Sequence, residues 1–268
     1  ASSGRAPTAS SPISRSRLRA GSVNAELPSR HFSSRAARLL LLGLIVLLGA
    51  YLRFEAAAST VINSPVRADA AQYVAYAFNL RLHQVYSRQL DSLFDSEARP
   101  KPDALRVPGY PLFLYPFTWT LDLERFAKDV VFAQALFSIF TIVLAYVVAV
   151  PVLGVSFALG VALLTALSPH LVSVNTYLLT ESLFAFLLIL GLLLVQRAAK
   201  AQRWGLWSLA GVVIGAAALT RPTLQYFVVV IAVLAATPWG ERRVAGAVVP
   251  VVTGFLAVFG LWVLRNWL

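Results

Sequence analysis

Apolar and polar positions divide the chain into three regions. Residues 1–38 are rich in Ser, Arg, Ala and Pro and carry no apolar period, which is the pattern of a tail that buries too little surface to fold. From Arg38 the chain turns apolar, and after Val130 it is almost a succession of apolar runs. Judged against the roughly 20 residues needed to cross a hydrocarbon core, these runs predict about seven transmembrane helices. They lie near Arg38–Ala57, Val130–Leu153, Ser156–Val174, Glu181–Ala199, Leu206–Leu219, Thr223–Thr237 and Val244–Trp262. The fifth and sixth are short, and Thr220-Arg221-Pro222 between them suits either a loop or a re-entrant turn. The third region is the polar interval 59–129, where Tyr73, Ala77 and Leu80 share a helical face with Tyr76 beside them and Leu112–Trp119 forms an aromatic run. The expected fold is an all-α polytopic membrane protein whose long first loop, 59–129, contains amphipathic interfacial helices.

Composition supports this class. Hydrophobic residues make up 58% of the chain and charged residues 13%, with a mean hydropathy of +0.72, against about 45–50% apolar for a soluble domain. The net charge of +11 does not point to nucleic acid, because Arg5, Arg15, Arg17, Arg19, Arg30, Arg35 and Arg38, opposed by Glu26 alone, supply more than half of it from the tail. A basic tail ahead of an apolar run is a cytoplasmic flank facing anionic lipid. Arg197, Lys200 and Arg203 after the fourth run and Arg242 and Arg243 after the sixth fall on the same side as the tail. The intervening connections carry few cations, so the first loop is expected outside. That loop is balanced in sign, since Glu55–Asp129 holds nine of the twelve acidic and eight of the twenty-three basic residues. The chain has no Cys, which removes disulfides and thiolate metal sites, and its three histidines are scattered. It has no Met either, not even at position 1, and ends within an apolar context, so a processed or partial product is expected. The tail is too long for a signal peptide and no small-residue cleavage site follows Leu39–Leu52, so the first helix is read as uncleaved.

Two readings stand for Asp69. A carboxylate just past the first span is placed to take a proton from a hydroxyl, and Asp69 followed three residues later by Gln72 also fits a helix N-cap with a capping box. Lys101, Arg106, Arg221 and Arg265 are the outer-face cations suited to a phosphate group. Arg106 leads into Val107-Pro108-Gly109-Tyr110-Pro111, a rigid turn. Arg221, between two short apolar runs, is costly unless it is paired or faces water. Glu181 opens the fourth run and either favours the helix dipole or lines an outer vestibule. Tyr177, Asn175 and His170 share its connection. Tyr73 and Tyr110 complete the candidate vestibule.

These residues occur in a telling order: Ala50-Tyr51-Leu52-Arg53, then Asp69 with Tyr73 and Asn79-Leu80, then Arg106 with Pro108-Gly109-Tyr110-Pro111, and Leu179-Thr180-Glu181. Gly211 and Gly215 then lead to Leu219-Thr220-Arg221-Pro222, and Trp262 precedes Arg265-Asn266. Over about residues 38–268 the chain resembles the GT-C membrane glycosyltransferases, in the branch of protein O-mannosyltransferase-like and aminoarabinose-transferase-like proteins. The resemblance implies transfer of a sugar from a polyprenyl-phosphate donor to a hydroxyl acceptor on a glycan, lipid or protein, at the outer face of a bacterial inner or plasma membrane. By analogy Asp69 is the carboxylate of the first loop, and Arg106 stands where relatives place a basic residue that meets the lipid phosphate. Many relatives carry an Asp-Glu pair here, whereas Asp69 is followed by Ala70, which speaks against a two-carboxylate or metal-assisted site. The sequence implies no metal and leaves the cofactor open. Relatives are also longer, with further spans and often an outer domain after the Arg-Asn motif. Displacing a polyprenyl phosphate needs a base for the hydroxyl and cations for the phosphate, the roles given to Asp69 and to Arg106 with Lys101 or Arg221. Rival readings are a transporter lined by Arg221 and Glu181, for which no inverted repeat is found, and a truncated non-catalytic scaffold of the same fold.

Overall fold

In the computed structural model the described residues are 29–60, 67–93, 95, 97, 99–227 and 242–268. Among them every regular element is helical. The α-helices are α1 (Ser29–Ser59), α2 (Ala68–Leu82), α3 (Gly109–Leu114), α4 (Leu123–Leu167), α5 (Pro169–Ser173), α6 (Glu181–Ala201), α7 (Trp204–Thr220) and α8 (Arg242–Trp267). Arg35–Ser59 of α1, all of α4 and α6, and Gly246–Trp267 of α8 are long and apolar enough to cross a membrane, and α7 is a shorter apolar helix. Leu39–Leu268 forms one compact unit. Most of the tail and most of the expected sixth span lie outside the described residues.

The longest helix is two helices in series. Its N-cap is Asp122, whose carboxylate accepts from the Glu124 and Arg125 N–H groups at 3.0 and 3.2 Å, satisfying two donors that a helix start leaves free. Pro151 has no N–H for the preceding turn, and Gly154 at φ 77°, ψ 167° breaks the helix altogether. The break falls between the expected second and third spans. The second half then returns beside the first, because Ile142 and Ala166 meet at the same glycine of α1, Gly49. That half ends at Leu167, and the short α5 and a 3-10 turn at Val174–Thr176 replace the continued span expected to Val174.

Small residues set the packing of α7 on α8. A Cβ at Gly211 would overlap the Val251 carbonyl, and one at Gly254 would overlap the Ser208 carbonyl. The two backbones therefore touch directly, which is how helices associate where lipid competes for apolar surface. In the first loop, α2 is less amphipathic than expected: Tyr73 through Asn79 are all buried. The helix packs on α3 and α4 through a core of Tyr73, Val74, Phe78, Tyr110, Leu114 and Phe126.

One buried side chain was singled out in sequence only as the end of the first span. Arg53 is fully buried. Its Nε donates to Ser138 Oγ at 2.7 Å, Nη1 to the Gly49 and Ala166 carbonyls at 3.0 Å each, and Nη2 to the Thr165 carbonyl at 3.0 Å. Thr165 and Ala166 belong to the last turn of α4, whose carbonyls have no partner inside the helix and carry its negative pole. Arg53 thus caps that end and ties α1 to both halves of α4.

Candidate active site

Three elements converge where the first loop meets α6 and α7. Gly109 makes the approach possible: a Cβ there would lie 2.5 Å from the Leu219 carbonyl oxygen and 2.8 Å from the Thr220 nitrogen. With glycine the start of α3, three residues after Arg106, rests on the end of α7, where Thr220 precedes Arg221. Arg221 itself is extended, at φ −137° and ψ 112°, as a residue before proline tends to be.

Asp69 sits in the first turn of α2 but is not its cap. The N-cap is Arg67, with no side-chain bond to the helix start, so the capping-box reading fails. Ala68, at φ 51°, enters the left-handed region that a β-carbon disfavours, and the chain is already helical when it reaches Asp69. The carboxylate is spent elsewhere. Asp69 Oδ1 accepts from Arg106 Nη2 at 2.5 Å, and Gln72 Oε1, the other half of the expected box, accepts from Arg106 Nε at 2.8 Å. The guanidinium carbon also lies 5.3 Å from the Tyr73 ring centre, within cation–π range. Asp69 Oδ2 and Arg106 Nη1 have no partner among the described residues.

A second ion pair lies across Tyr73. Arg221 Nη1 donates to Glu181 Oε1 at 3.4 Å, and its guanidinium sits 5.7 Å from the Phe184 ring centre. Glu181 is the first residue of α6, where its charge meets the helix's positive pole. Burial pushes the Tyr73 phenol up. The charges of Arg106, Asp69, Glu181 and Arg221 all reach it, the two cations pulling it down and the two carboxylates pushing it up. Below Tyr73, Tyr110 meets it edge to face at 5.1 Å and is fully buried. Its hydroxyl donates to Gln134 Oε1 at 2.7 Å, and Gln134 Nε2 donates to the Asn175 and Tyr177 carbonyls. This network fixes the floor of the cluster to α4 and to the turn before α6. His170 is exposed on α5 and takes no part in it.

Six of the eight candidate residues are thereby brought together: Asp69, Arg106, Tyr73, Tyr110, Glu181 and Arg221. Lys101 is exposed, and its backbone N–H donates to Gln89 Oε1. Arg265 belongs to a neighbouring cluster. Its guanidinium lies 5.2 and 5.5 Å from the Trp262 and Tyr86 ring centres, and Nη1 donates to the Asp103 carbonyl at 3.1 Å and to Asn266 Oδ1. That contact fastens the Arg106 loop to α8.

The loop is further held by Asp103, which no motif or spacing in the sequence marks. Its carboxylate accepts from the Tyr76 hydroxyl and from the Arg88 and Leu105 N–H groups. Partial burial raises its pKa, but these hydrogen bonds and the Arg88 charge outweigh it and hold the group below the ordinary value of 3.8. Tyr76 is pushed well up, first by burial and then by its bond to Asp103. Tyr86 stacks on Tyr76 at 4.1 Å and donates to the Arg106 carbonyl at 3.0 Å. Among the described residues no three His, Asp or Glu side chains lie together as a metal site would need.

A family model described as dolichyl-phosphate-mannose-protein mannosyltransferase matches residues 110–265, more than half of the chain. A comparison with curated proteins finds no match.

Proposed function

Since the chain belongs to the dolichyl-phosphate-mannose-protein mannosyltransferase family, and so to the membrane glycosyltransferases, we propose that it transfers a sugar from a polyprenyl-phosphate donor to a hydroxyl acceptor with inversion, at the cluster around Tyr73. The observation that carries this reading is the pairing of Asp69 with Arg106 beside the Glu181–Arg221 pair. Among the described residues Asp69 Oδ2 has no partner, and the charges of both guanidinium groups, Arg106 and Arg221, reach Tyr73 between the two pairs.

The chemistry asks for that combination. The acceptor hydroxyl gives its proton to Asp69 as its oxygen attacks the anomeric carbon. The bond from that carbon to the phosphate oxygen breaks, and the electron pair leaves on the phosphate, where a cation must meet it. Arg106 has Nη1 to offer without giving up Asp69 or Gln72, and Arg221 stands across Tyr73. Attack and departure on opposite faces invert the sugar. The donor arrives through the bilayer, so no nucleotide-binding fold is required.

Asp69→Asn tests the base. Asn keeps an acceptor for Arg106 but cannot take the proton. The protein is reconstituted with a polyprenyl-phosphate sugar and release of polyprenyl phosphate is followed. The expected result is a fall of about 10²–10⁴-fold with the thermal midpoint nearly unchanged. Release at the original rate would overturn the assignment.

A further inference from the structure

A second polar and apolar combination lies at the opposite end of α6. Arg197 and Lys200 are 16 and 19 residues beyond Glu181, which places them about 24 and 28 Å away along a helix rising 1.5 Å per residue. The break of α4 comes to the same end. A groove of about 660 Å³ opens there between the two helices, within the 300–1,000 Å³ usual for small-ligand sites. Val147, Val150, Val152 and Leu193 line it, with Arg197 and Lys200 at its polar end.

Pro151 lines the groove and leaves the Val147 carbonyl without its usual donor inside α4. Gln196 reaches across and donates to the Val148 carbonyl at 3.1 Å, closing the floor. Both helices are long and apolar enough to span a membrane, so the groove's apolar part faces hydrocarbon and its cations lie at the headgroup level. Protein carboxylates are scarce on this side: besides Glu26 of the tail, outside the described residues, the sequence after Asp129 has Glu181 and Glu241 alone. Glu181 is engaged with Arg221 at the far end of α6, and Glu241 lies outside the described residues. Arg197 and Lys200 are exposed and one turn apart, and neither is ion-paired among the described residues.

We infer that this groove holds one anionic glycerophospholipid, its phosphate between Arg197 and Lys200 and an acyl chain against Val147, Val150 and Leu193. Charge complementarity selects an anionic headgroup over a zwitterionic one, and apolar walls select a lipid over a free anion. The site is separate from the transfer cluster and does not depend on the activity assigned there.

The test uses the full chain in nanodiscs with spin-labelled phosphatidylglycerol or phosphatidylcholine at trace level. The wild type should immobilise phosphatidylglycerol preferentially. Arg197→Gln with Lys200→Gln should lower that preference about 30-fold at most and at least 5-fold, since each cation near a membrane surface favours an anion by about 5-fold. Val150→Trp, which fills the groove and keeps both charges, should release the immobilised fraction as well. Circular dichroism and thermal unfolding confirm that each variant is folded. An unchanged preference in both variants overturns the proposal. So does loss with the charge variant alone, which would mark a general surface attraction. Displacement by inorganic phosphate would make it a simple anion site, and displacement by a polyprenyl phosphate in preference to phosphatidylglycerol would assign it to the donor. Either also overturns it.

Discussion

Arg53 and Arg106 stand in the same protein under opposite conditions. Arg53 is fully buried, and its four hydrogen bonds go to a hydroxyl and three carbonyls, with no carboxylate among them. Arg106 is partly exposed and meets a carboxylate that is more exposed still, with side-chain exposures of 29% and 57%. A buried charge that loses its partners costs several kcal/mol, whereas an exposed ion pair contributes about 1 kcal/mol or less. The first arginine therefore belongs to the fold. The second adds too little stability to be explained by it, which is the physical ground for assigning it to chemistry.

The two arginines should differ most in stability, and Arg53 should show the larger loss. Arg53→Ala should destabilise the protein by about 3 kcal/mol or more, because it strands buried acceptors of α4. Thermal unfolding in detergent measures this. Arg53→Lys should recover less than half of the loss, since one ammonium cannot reproduce a fork spread over four acceptors. A loss below about 1 kcal/mol for the alanine variant would mean that α1 is held to α4 by apolar contact alone.

Gly109→Ala comes next. The added Cβ meets backbone atoms of Leu219 and Thr220, which cannot swing aside as a side chain would. The loop must back away at a cost of about 1–3 kcal/mol, and Arg106 moves with it. Transfer should fall by about 100-fold, the scale of a 1 Å misplacement, although residue 109 carries no reacting group. Unchanged transfer would separate the Arg106 loop from the site.

The sequence disclosed these elements unevenly. Apolar length and the Pro151 and Gly154 breakers make the helices and the turn within α4 readable, because both act locally. The site is a matter of pairs formed at long range: Arg106 with Asp69 across 37 residues and Arg221 with Glu181 across 40. Residue type named these partners, but nothing in the spacing joined them. Rules of type also misplaced the cap. Asp69 and Asp122 look alike as helix starters, yet only Asp122 bonds the first N–H groups of its helix, because Arg106 claims Asp69. Arg53 is visible in sequence only as the end of an apolar run, since the carbonyls and hydroxyl it binds lie 4 to 113 residues away. Lys101 and Arg265 were grouped with the phosphate-binding candidates by sign, and only geometry places Arg265 among Tyr86, Trp262 and the Asp103 carbonyl.

A double-mutant cycle measures how little the exposed pair contributes to stability. Asp69→Asn and Arg106→Gln, singly and together, should give a coupling of about 1 kcal/mol or less in thermal stability. A coupling above about 2 kcal/mol would make the pair structural after all and remove the ground for its catalytic assignment.

The smallest effect expected is a local one at Asp103, whose side chain fixes the turn that carries Arg106. Its pKa is held below the ordinary 3.8, so the folded loop favours the charged carboxylate. A depressed pKa contributes stability that is present above the unfolded value and is lost as pH falls through the folded one. Amide protection of Arg88 and Leu105, the two N–H groups bonded to the carboxylate, should therefore be constant above about pH 4 and decline below it, while the apolar helices keep theirs. Asp103→Asn retains an acceptor but has no proton to gain, so its protection should be lower at neutral pH and flat with acid. Equal acid dependence in wild type and variant would transfer the effect to another carboxylate, and the Arg106 turn would then rest on Tyr86 and Arg265 instead.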